Sequence, residues 1–202
     1  MSFFENTRKP VGLGGKIMVA MMNFGHSAMA EWGLSFLQPA TDAMVLDCGC
    51  GGGANIKTLL KLCPNGKVQG IDYSAVSVEK ARKVNARAIA AGRCTVQQAS
   101  VAELPFEAEQ FDVVTAFETV YFWPELAQNF REVYRVLKPG GVFFICNEAN
   151  GETTKDDKWT QIINGMTIYT DADLKVYREQ AGFGRVQRHK NKKGWLCVTA
   201  QK

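Results

Sequence analysis

The stretch VLDCGCGGGA, residues 45–54, decides the fold class of this chain. Val45 and Leu46 belong to an apolar strand, the glycines after Asp47 form a tight turn, and residues 54–62 have helical character. A glycine-rich turn that opens a helix lets a ligand approach both the backbone and the helix N-terminus. The sequence therefore predicts a strand, a loop and a helix that bind a ligand together.

Strands and helices alternate on both sides of this unit. Strands are predicted at residues 44–47, 67–71, 95–98, 113–117 and 142–147. Helices are predicted between them at residues 54–62, 75–91 and 124–137. Ser74 is placed to cap the second helix, and residues 138–141 predict a turn after the third. The pattern is typical of a parallel sheet with helices on both faces.

The segments outside this alternating part have other patterns. Residues 16–37 predict one or two helices, and residues 151–158 are polar. A helix at residues 171–181 and an antiparallel hairpin of residues 183–189 and 195–200 are predicted to follow. The 202 residues suit a single domain, in which we expect a helical cap, residues 1–40, on an α/β core, residues 43–202.

The composition excludes several classes of protein. With 46% hydrophobic and 22% charged residues, the chain is neither disordered nor collagen-like. The net charge of +4 is small and the basic residues concentrate on the predicted hairpin, so we expect no nucleic-acid partner. Six cysteines without a C-x-x-C pair favour a reducing compartment. Because neither a signal peptide nor a membrane span is indicated, we expect a cytoplasmic protein.

The glycine loop is compatible with more than one cofactor. Gly49, Gly51 and Ala54 satisfy the pattern G-x-G-x-x-G/A, so spacing alone leaves NAD(P) open. Asp47 argues against NAD(P), because its carboxylate would repel a pyrophosphate, whereas it would complement a cationic sulfonium and ammonium. Asp72, at the end of the second strand, could accept hydrogen bonds from the ribose hydroxyls of either cofactor.

Five motifs in this order resemble those of the class I S-adenosylmethionine-dependent methyltransferases. They are residues 45–53, Asp72, residues 111–117, residues 137–141 and residues 181–183. The resemblance implies a Rossmann-like, mostly parallel sheet of seven strands in the order 3-2-1-4-5-7-6, with strand 7 antiparallel. It also implies S-adenosylmethionine as cofactor and S-adenosylhomocysteine as product.

The resemblance further implies which residues contact the cofactor. Ser100 stands where relatives have an acidic residue, so the adenine amine is expected to bind Ser100 Oγ or to rely on the Val101 backbone. The complete expected set is Asp47, Gly49, Cys50, Gly51, Gly53, Asp72, Tyr73, Ser74, Ser100, Val101 and Phe117.

The methyl acceptor is expected to be a small molecule, as in quinone- and natural-product-modifying members, because no large insertion follows the fifth strand. We expect Glu118, Tyr121 and His26 to act on it, with Tyr121 and Trp123 as an aromatic wall facing the sulfonium methyl. Positioning is expected to matter more than proton removal. No set of His, Cys and carboxylate residues has zinc-like spacing, so we predict no metal site.

Two other functions stay open at this stage. One is a module that binds S-adenosylmethionine without catalysis, which the sequence does not exclude. The other is an NAD(P)-dependent oxidoreductase, which Asp47 and the lack of a Tyr-x-x-x-Lys motif disfavour. Either a monomer or a homodimer is expected.

Overall fold

The computed structural model describes Arg8 and residues 10–202. The strands of this part of the chain are β1 (Met44–Cys48), β2 (Lys67–Asp72), β3 (Cys94–Gln98), β4 (Phe111–Phe117), β5 (Leu137–Asn147), β6 (Gly184–Lys190) and β7 (Leu196–Gln201). They form one seven-stranded sheet in the order β3-β2-β1-β4-β5-β7-β6. Strand β7 runs antiparallel to both β5 and β6, whereas β1 to β5 pair in parallel. The predicted fold class is confirmed.

Helices cover both faces of the sheet. They are α1 (Gly12–Gly25), α2 (Ser27–Leu34), α3 (Ala54–Leu62), α4 (Ala75–Val84), α5 (Ala86–Ala90), α6 (Leu126–Val136), α7 (Thr154–Ile162) and α8 (Asp171–Ala181). Helices α6 and α8 bury their apolar side chains in one core, and α2, α3 and α4 bury theirs in the other. Among the described residues, no helix combines the length and the apolar character that a membrane crossing requires.

The N-terminal prediction is met in part. Two helices, α1 and α2, occupy the predicted helical region, and His26 lies between them. Of the proposed cap, residues 1–7 and Lys9 lie outside the described residues. The side chains of residues 20–24, in the methionine-rich part of α1, also lie outside what the structure describes. Ala30 and Leu34 on α2 are buried, so this helix packs against the sheet.

Three local predictions differ from the structure. The helix predicted at residues 75–91 divides at Asn85, whose side-chain amide donates to the carbonyls of Ala81 at 3.0 Å and Gly53 at 2.9 Å. The turn predicted at residues 138–141 is instead the start of β5, where a register shift in the β4–β5 pairing accommodates the extra residues. The polar stretch at residues 151–158 contributes to α7, whose mostly polar sequence gives little amphipathic signal.

Candidate active site

A cleft of about 540 Å³ lies at the carboxyl ends of β1, β2 and β4. The glycine loop between β1 and α3 forms one side, and α2 forms part of the other. Ligands of open α/β sheets bind at this edge, where the loops leave the strands. A volume within the usual range of about 300 to 1,000 Å³ suits small molecules.

The glycine loop is held in place by β2. The backbone N–H groups of Gly49 and Cys50 both donate to the Ile71 carbonyl, at 2.8 and 2.9 Å. Gly51 N donates to Asp72 Oδ2 at 3.0 Å. Gly51 has a φ of +51°, and a Cβ added to it would meet no atom within 4 Å. The loop therefore presents bare backbone to the cleft in a conformation that favours glycine.

The other two glycines of the motif are needed for close packing. A Cβ on Gly49 would lie 2.2 Å from Thr119 Oγ1, on the segment that follows β4. A Cβ on Gly53 would lie 2.8 Å from Ala81 Cα on α4. Gly49 still lines the cleft, whereas Gly53 does not. The structure thus assigns Gly53 to packing of the loop against α4.

Asp72 and Tyr73 line the cleft at the end of β2, and Ser74 does not. Asp72 Oδ1 accepts from Ser74 N at 2.8 Å, and burial raises the pKa of this carboxyl while its backbone hydrogen bonds lower it. Tyr73 donates its hydroxyl to the Arg8 carbonyl, and burial raises its pKa to about 12. Ser74 caps α4, as predicted, by accepting from Ser77 N, and its hydroxyl donates to the Pro10 carbonyl at 2.8 Å.

Asp47 is buried behind the glycine loop with 1% of its surface exposed, and it does not line the cleft. Its Oδ1 accepts from the Thr115 hydroxyl at 2.7 Å. Its Oδ2 has no hydrogen-bond partner within the described part of the chain. Burial raises the pKa of Asp47 to about 7, and the nearby charge of Asp72 adds to this effect. Asp47 therefore lies outside the cleft lining, and its contact with the cofactor stays a prediction.

The remaining residues of the expected cofactor set line the cleft. Ser100 is exposed and its Oγ accepts from Ala102 N at 3.2 Å. Val101 and Phe117 contribute buried apolar surface beside it. Cys50 is also buried, which raises the pKa of its thiol well above the ordinary value and keeps it protonated.

A carboxylate, Glu118, also lines the cleft directly after β4. Its backbone has a φ of +57°, which is unusual for a residue with a side chain. Its Oε1 accepts from the Tyr121 hydroxyl at 3.1 Å and from Glu148 N. Burial raises the pKa of Glu118 to about 7, against the effect of the neighbouring His26.

His26 faces the same carboxylate from the junction of α1 and α2. Its Nδ1 lies 3.5 Å from Glu118 Oε2 and 3.8 Å from Glu148 Oε1. The sequence reasoning missed Glu148, which follows β5. Its position after a strand that neighbours β4 was the available signal, since adjacent parallel strands end at the same edge of the sheet.

Tyr121 requires a correction. It is 2% exposed and does not line the cleft, so it cannot form a wall facing a bound methyl group. Trp123 reaches the cleft, but its ring stacks on Phe143 in the core at a centroid distance of 6.1 Å, and its Nε1 donates to Thr119 Oγ1. Phe122, which the sequence reasoning did not single out, also lines the cleft. A short 3-10 helix, Val120–Phe122, produces this arrangement where an open loop was expected.

Helix α2 supplies cleft residues that the sequence did not indicate. They are Ser27, Ala30, Glu31 and Leu34. Periodicity places these residues on a helix, but it does not show that one side of that helix faces the strand ends. The packing of α2 beside β5 decides this: a Cβ added to Gly33 would lie 2.4 Å from Cys146 Sγ.

Comparison with known proteins identifies the family. Residues 46–145 match the family described as a methyltransferase domain. Sterol methyltransferase-like 3 of Botryococcus braunii is 29% identical over 168 residues, which cover 81% of this chain and 43% of that protein. Demethylmenaquinone methyltransferase of Symbiobacterium thermophilum is 36% identical over 107 residues, covering 52% of this chain and 42% of that protein. The chain spans less than half the length of either relative.

A solved structure of a SAM-dependent methyltransferase from Aquifex aeolicus has the same fold. It superposes with a TM-score of 0.75 at 20% identity and covers 92% of this chain and 97% of its own. The sheet order, the glycine loop with its acidic residue at the end of β2, and the family match agree with one another. The chain therefore belongs to the class I S-adenosylmethionine-dependent methyltransferases.

Proposed function

We propose that this protein transfers a methyl group from S-adenosylmethionine to a small-molecule acceptor. The observation that carries the proposal is a single cleft lined by two chemically different sets of residues, which we call its cofactor end and its acceptor end. Bare loop backbone and Asp72 lie at one end, and the His26–Glu118 pair lies at the other. S-adenosylmethionine supplies the electrophilic methyl group when bound, so the protein has mainly to orient two reactants and exclude water.

The residues at the first end fit the cofactor. Asp72 is held by Gly51 N and Ser74 N, so its carboxylate is oriented before the ribose hydroxyls arrive. Gly51 leaves room for the ligand beside the loop. Ser100 and Val101 line the same cleft, and we propose that they lie along the edge of the adenine ring. We propose that Asp47 acts from behind the loop, since its unpartnered Oδ2 adds negative potential beneath a cationic ligand.

The residues at the second end fit the acceptor. Glu118 and His26 offer hydrogen bonds to an acceptor hydroxyl or amine, while Phe122 and Leu34 supply apolar surface. Tyr121 is a positioning residue in this proposal, because its hydroxyl contacts Glu118 rather than the cleft. Two relatives are named as a sterol methyltransferase-like protein and a demethylmenaquinone methyltransferase, and we propose an acceptor with apolar character, which is consistent with this end.

Calorimetric titration with S-adenosylhomocysteine and with NADH tests the cofactor assignment. We expect micromolar or tighter binding of S-adenosylhomocysteine, weakened by Asp72→Ala by about 1.5 to 3 kcal/mol, which is roughly 10- to 150-fold. Asp42→Ala is the matched control, because Asp42 is an exposed carboxylate before the opposite end of β1. NADH binding without S-adenosylhomocysteine binding would overturn the assignment in favour of the oxidoreductase alternative.

A labelled-methyl screen over metabolite extracts tests catalysis. Transfer to a small molecule supports the proposal, and failure with every extract despite tight cofactor binding favours the non-catalytic binding module.

Other parts of the proposal are one domain over residues 1–202, a monomer or homodimer, and no nucleic-acid substrate. Arg8 is the only lysine or arginine among the described residues that line the cleft, which supports the last point. Six buried free thiols support a cytoplasmic location.

A further inference from the structure

Three side chains of types that can bind metal ions meet beside the acceptor end of the cleft. His26 Nδ1 and one carboxylate oxygen each of Glu118 and Glu148 lie within 4.8 Å of one another. The groups come from the α1–α2 junction, the end of β4 and the end of β5, so only the fold brings them together. Their side chains are 33%, 20% and 38% exposed, and two of them, His26 and Glu118, line the cleft.

The spacing of these atoms suits a shared cation better than direct hydrogen bonds. His26 Nδ1 lies 3.5 and 3.8 Å from its two carboxylate neighbours, and this buried nitrogen has no hydrogen-bond partner within the described part of the chain. Two nitrogen or oxygen ligands that each lie about 2.1 Å from one ion are separated by about 3.0 to 3.4 Å. The two distances from His26 Nδ1 exceed this separation by a few tenths of an ångström, so small side-chain shifts would bring the imidazole and the carboxylates toward a common centre.

The ligand types indicate which ion fits. One imidazole and two carboxylates are suited to divalent ions such as Mn²⁺ and Zn²⁺, whereas Mg²⁺ prefers oxygen ligands alone. Three protein ligands leave coordination positions open to water or a substrate. Two neighbouring carboxylates also repel each other when both are ionised, and a dication between them would remove that repulsion.

We propose that His26, Glu118 and Glu148 bind one divalent transition-metal ion at the acceptor end of the cleft. This proposal replaces the expectation of no metal site, which rested on sequence spacing and could not anticipate a cluster made from three distant segments. It does not depend on the proposed methyl transfer, because binding of the ion is measurable without substrate or cofactor.

Titration of the chelator-treated, desalted protein with Mn²⁺, Zn²⁺ and Mg²⁺ tests the proposal by calorimetry. We expect one Mn²⁺ or Zn²⁺ per chain with a Kd below about 100 µM, and weaker binding of Mg²⁺. Glu148→Gln should weaken Mn²⁺ and Zn²⁺ binding by at least about tenfold. Glu31→Gln is the matched control, because Glu31 is a carboxylate of the cleft lining that lies outside the cluster, and it should retain the wild-type affinity.

A second variant keeps the test decisive if Glu148→Gln folds poorly. His26→Ala removes the imidazole from a helix-start position where the side chain makes no cap hydrogen bond, and it should abolish the imidazole-dependent change in the visible spectrum of bound Co²⁺. Absence of stoichiometric binding of Mn²⁺ and Zn²⁺ overturns the proposal. Equal weakening by Glu148→Gln and Glu31→Gln also overturns it, because that result indicates a general charge effect. S-adenosylhomocysteine titration of the same samples separates failure of this site from failure of the proposed function.

Discussion

The Tyr121 hydroxyl lies 3.1 Å from Glu118 Oε1 and 3.0 Å from Ala149 N, so one buried phenol joins the segments that follow β4 and β5. The same hydroxyl lies 3.1 Å from the Ala149 carbonyl. Because Glu118 also accepts from Glu148 N, its carboxylate is held by two groups, the Tyr121 hydroxyl and this backbone N–H, that belong to residues outside the cleft lining. This relationship gives Tyr121 an indirect role that can be measured.

Tyr121→Phe should lower kcat by up to about tenfold, because Glu118 loses one orienting hydrogen bond worth about 0.5 to 1.5 kcal/mol. The affinity for S-adenosylhomocysteine should stay at the wild-type value, since the hydroxyl does not contact the cofactor end. The free energy of unfolding should fall by about 1 to 3 kcal/mol, because Ala149 N is left buried without its partner. Steady-state kinetics with an identified acceptor, calorimetry and urea unfolding measure these three quantities.

Tyr134→Phe is the control for this variant, because Tyr134 packs against the core on α6, away from the cleft. Its kcat should equal that of the wild type. If Tyr121→Phe matches the wild type in kcat as well, the hydroxyl has no part in positioning Glu118.

Gly51→Ala should abolish cofactor binding while the chain still folds. The new methyl group would project into the open cleft, and the φ of +51° would add strain of about 1 to 2 kcal/mol. Gly92→Ala provides a closely matched control, because Gly92 has a φ of +69° and equally open surroundings but lies between α5 and β3, outside the cleft lining. Both variants should lose similar stability in urea unfolding, and only Gly51→Ala should lose S-adenosylhomocysteine binding. Equal affinities for the two variants would show that the ligand does not pass beside Gly51.

Asp47 should make the free protein less stable as the pH rises. Its pKa is about 7 in the folded chain against an ordinary value of 3.8, so the folded state retains a proton that the unfolded state loses first. The penalty is absent below about pH 4, grows between pH 4 and 7, and is complete above pH 7. When the pH is raised from 5 to 8, the ionisation of this residue should lower the free energy of unfolding by about 2 to 3 kcal/mol.

Urea unfolding of wild type and Asp47→Asn at pH 5 and pH 8 measures this contribution. The asparagine keeps an oxygen that can accept from the Thr115 hydroxyl, so the difference between the two pH profiles isolates the charge. Parallel pH profiles for the two proteins would mean that Asp47 is ionised in the fold at both pH values.

The sequence predicted the sheet and the cofactor end more fully than the acceptor end. Residues 45–54 contain an acidic residue at a strand end, a run of glycines and the start of a helix within a short distance along the chain. The Gly51–Asp72 contact joins the loop after β1 to the end of the neighbouring strand β2, and it follows directly from a parallel βαβ unit. Local pattern and topology are therefore sufficient at this end.

The acceptor end depends on packing between segments that are far apart in sequence. Glu148 lies beside Glu118 because β5 is the neighbour of β4 in the sheet. Tyr121 lies in the core and not in the cleft wall because a single 3-10 turn orients its side chain inward. Neither the twist of one short turn nor the face that α2 presents is encoded in hydrophobic periodicity. Asp47 shows the same limit, since its residue type indicated a charge suited to a cationic ligand but did not indicate its burial behind the loop.

The cleft draws its two ends from separate parts of the chain. The cofactor end uses the loops after β1, β2 and β3, whereas the acceptor end uses α2 and the segment after β4. Mutations in α2 can therefore change the shape and polarity offered to an acceptor without moving the glycine loop. With the proposed function, this separation would let substitutions in a few helix residues adapt the cleft to new acceptors while the residues that hold the methyl donor stay the same.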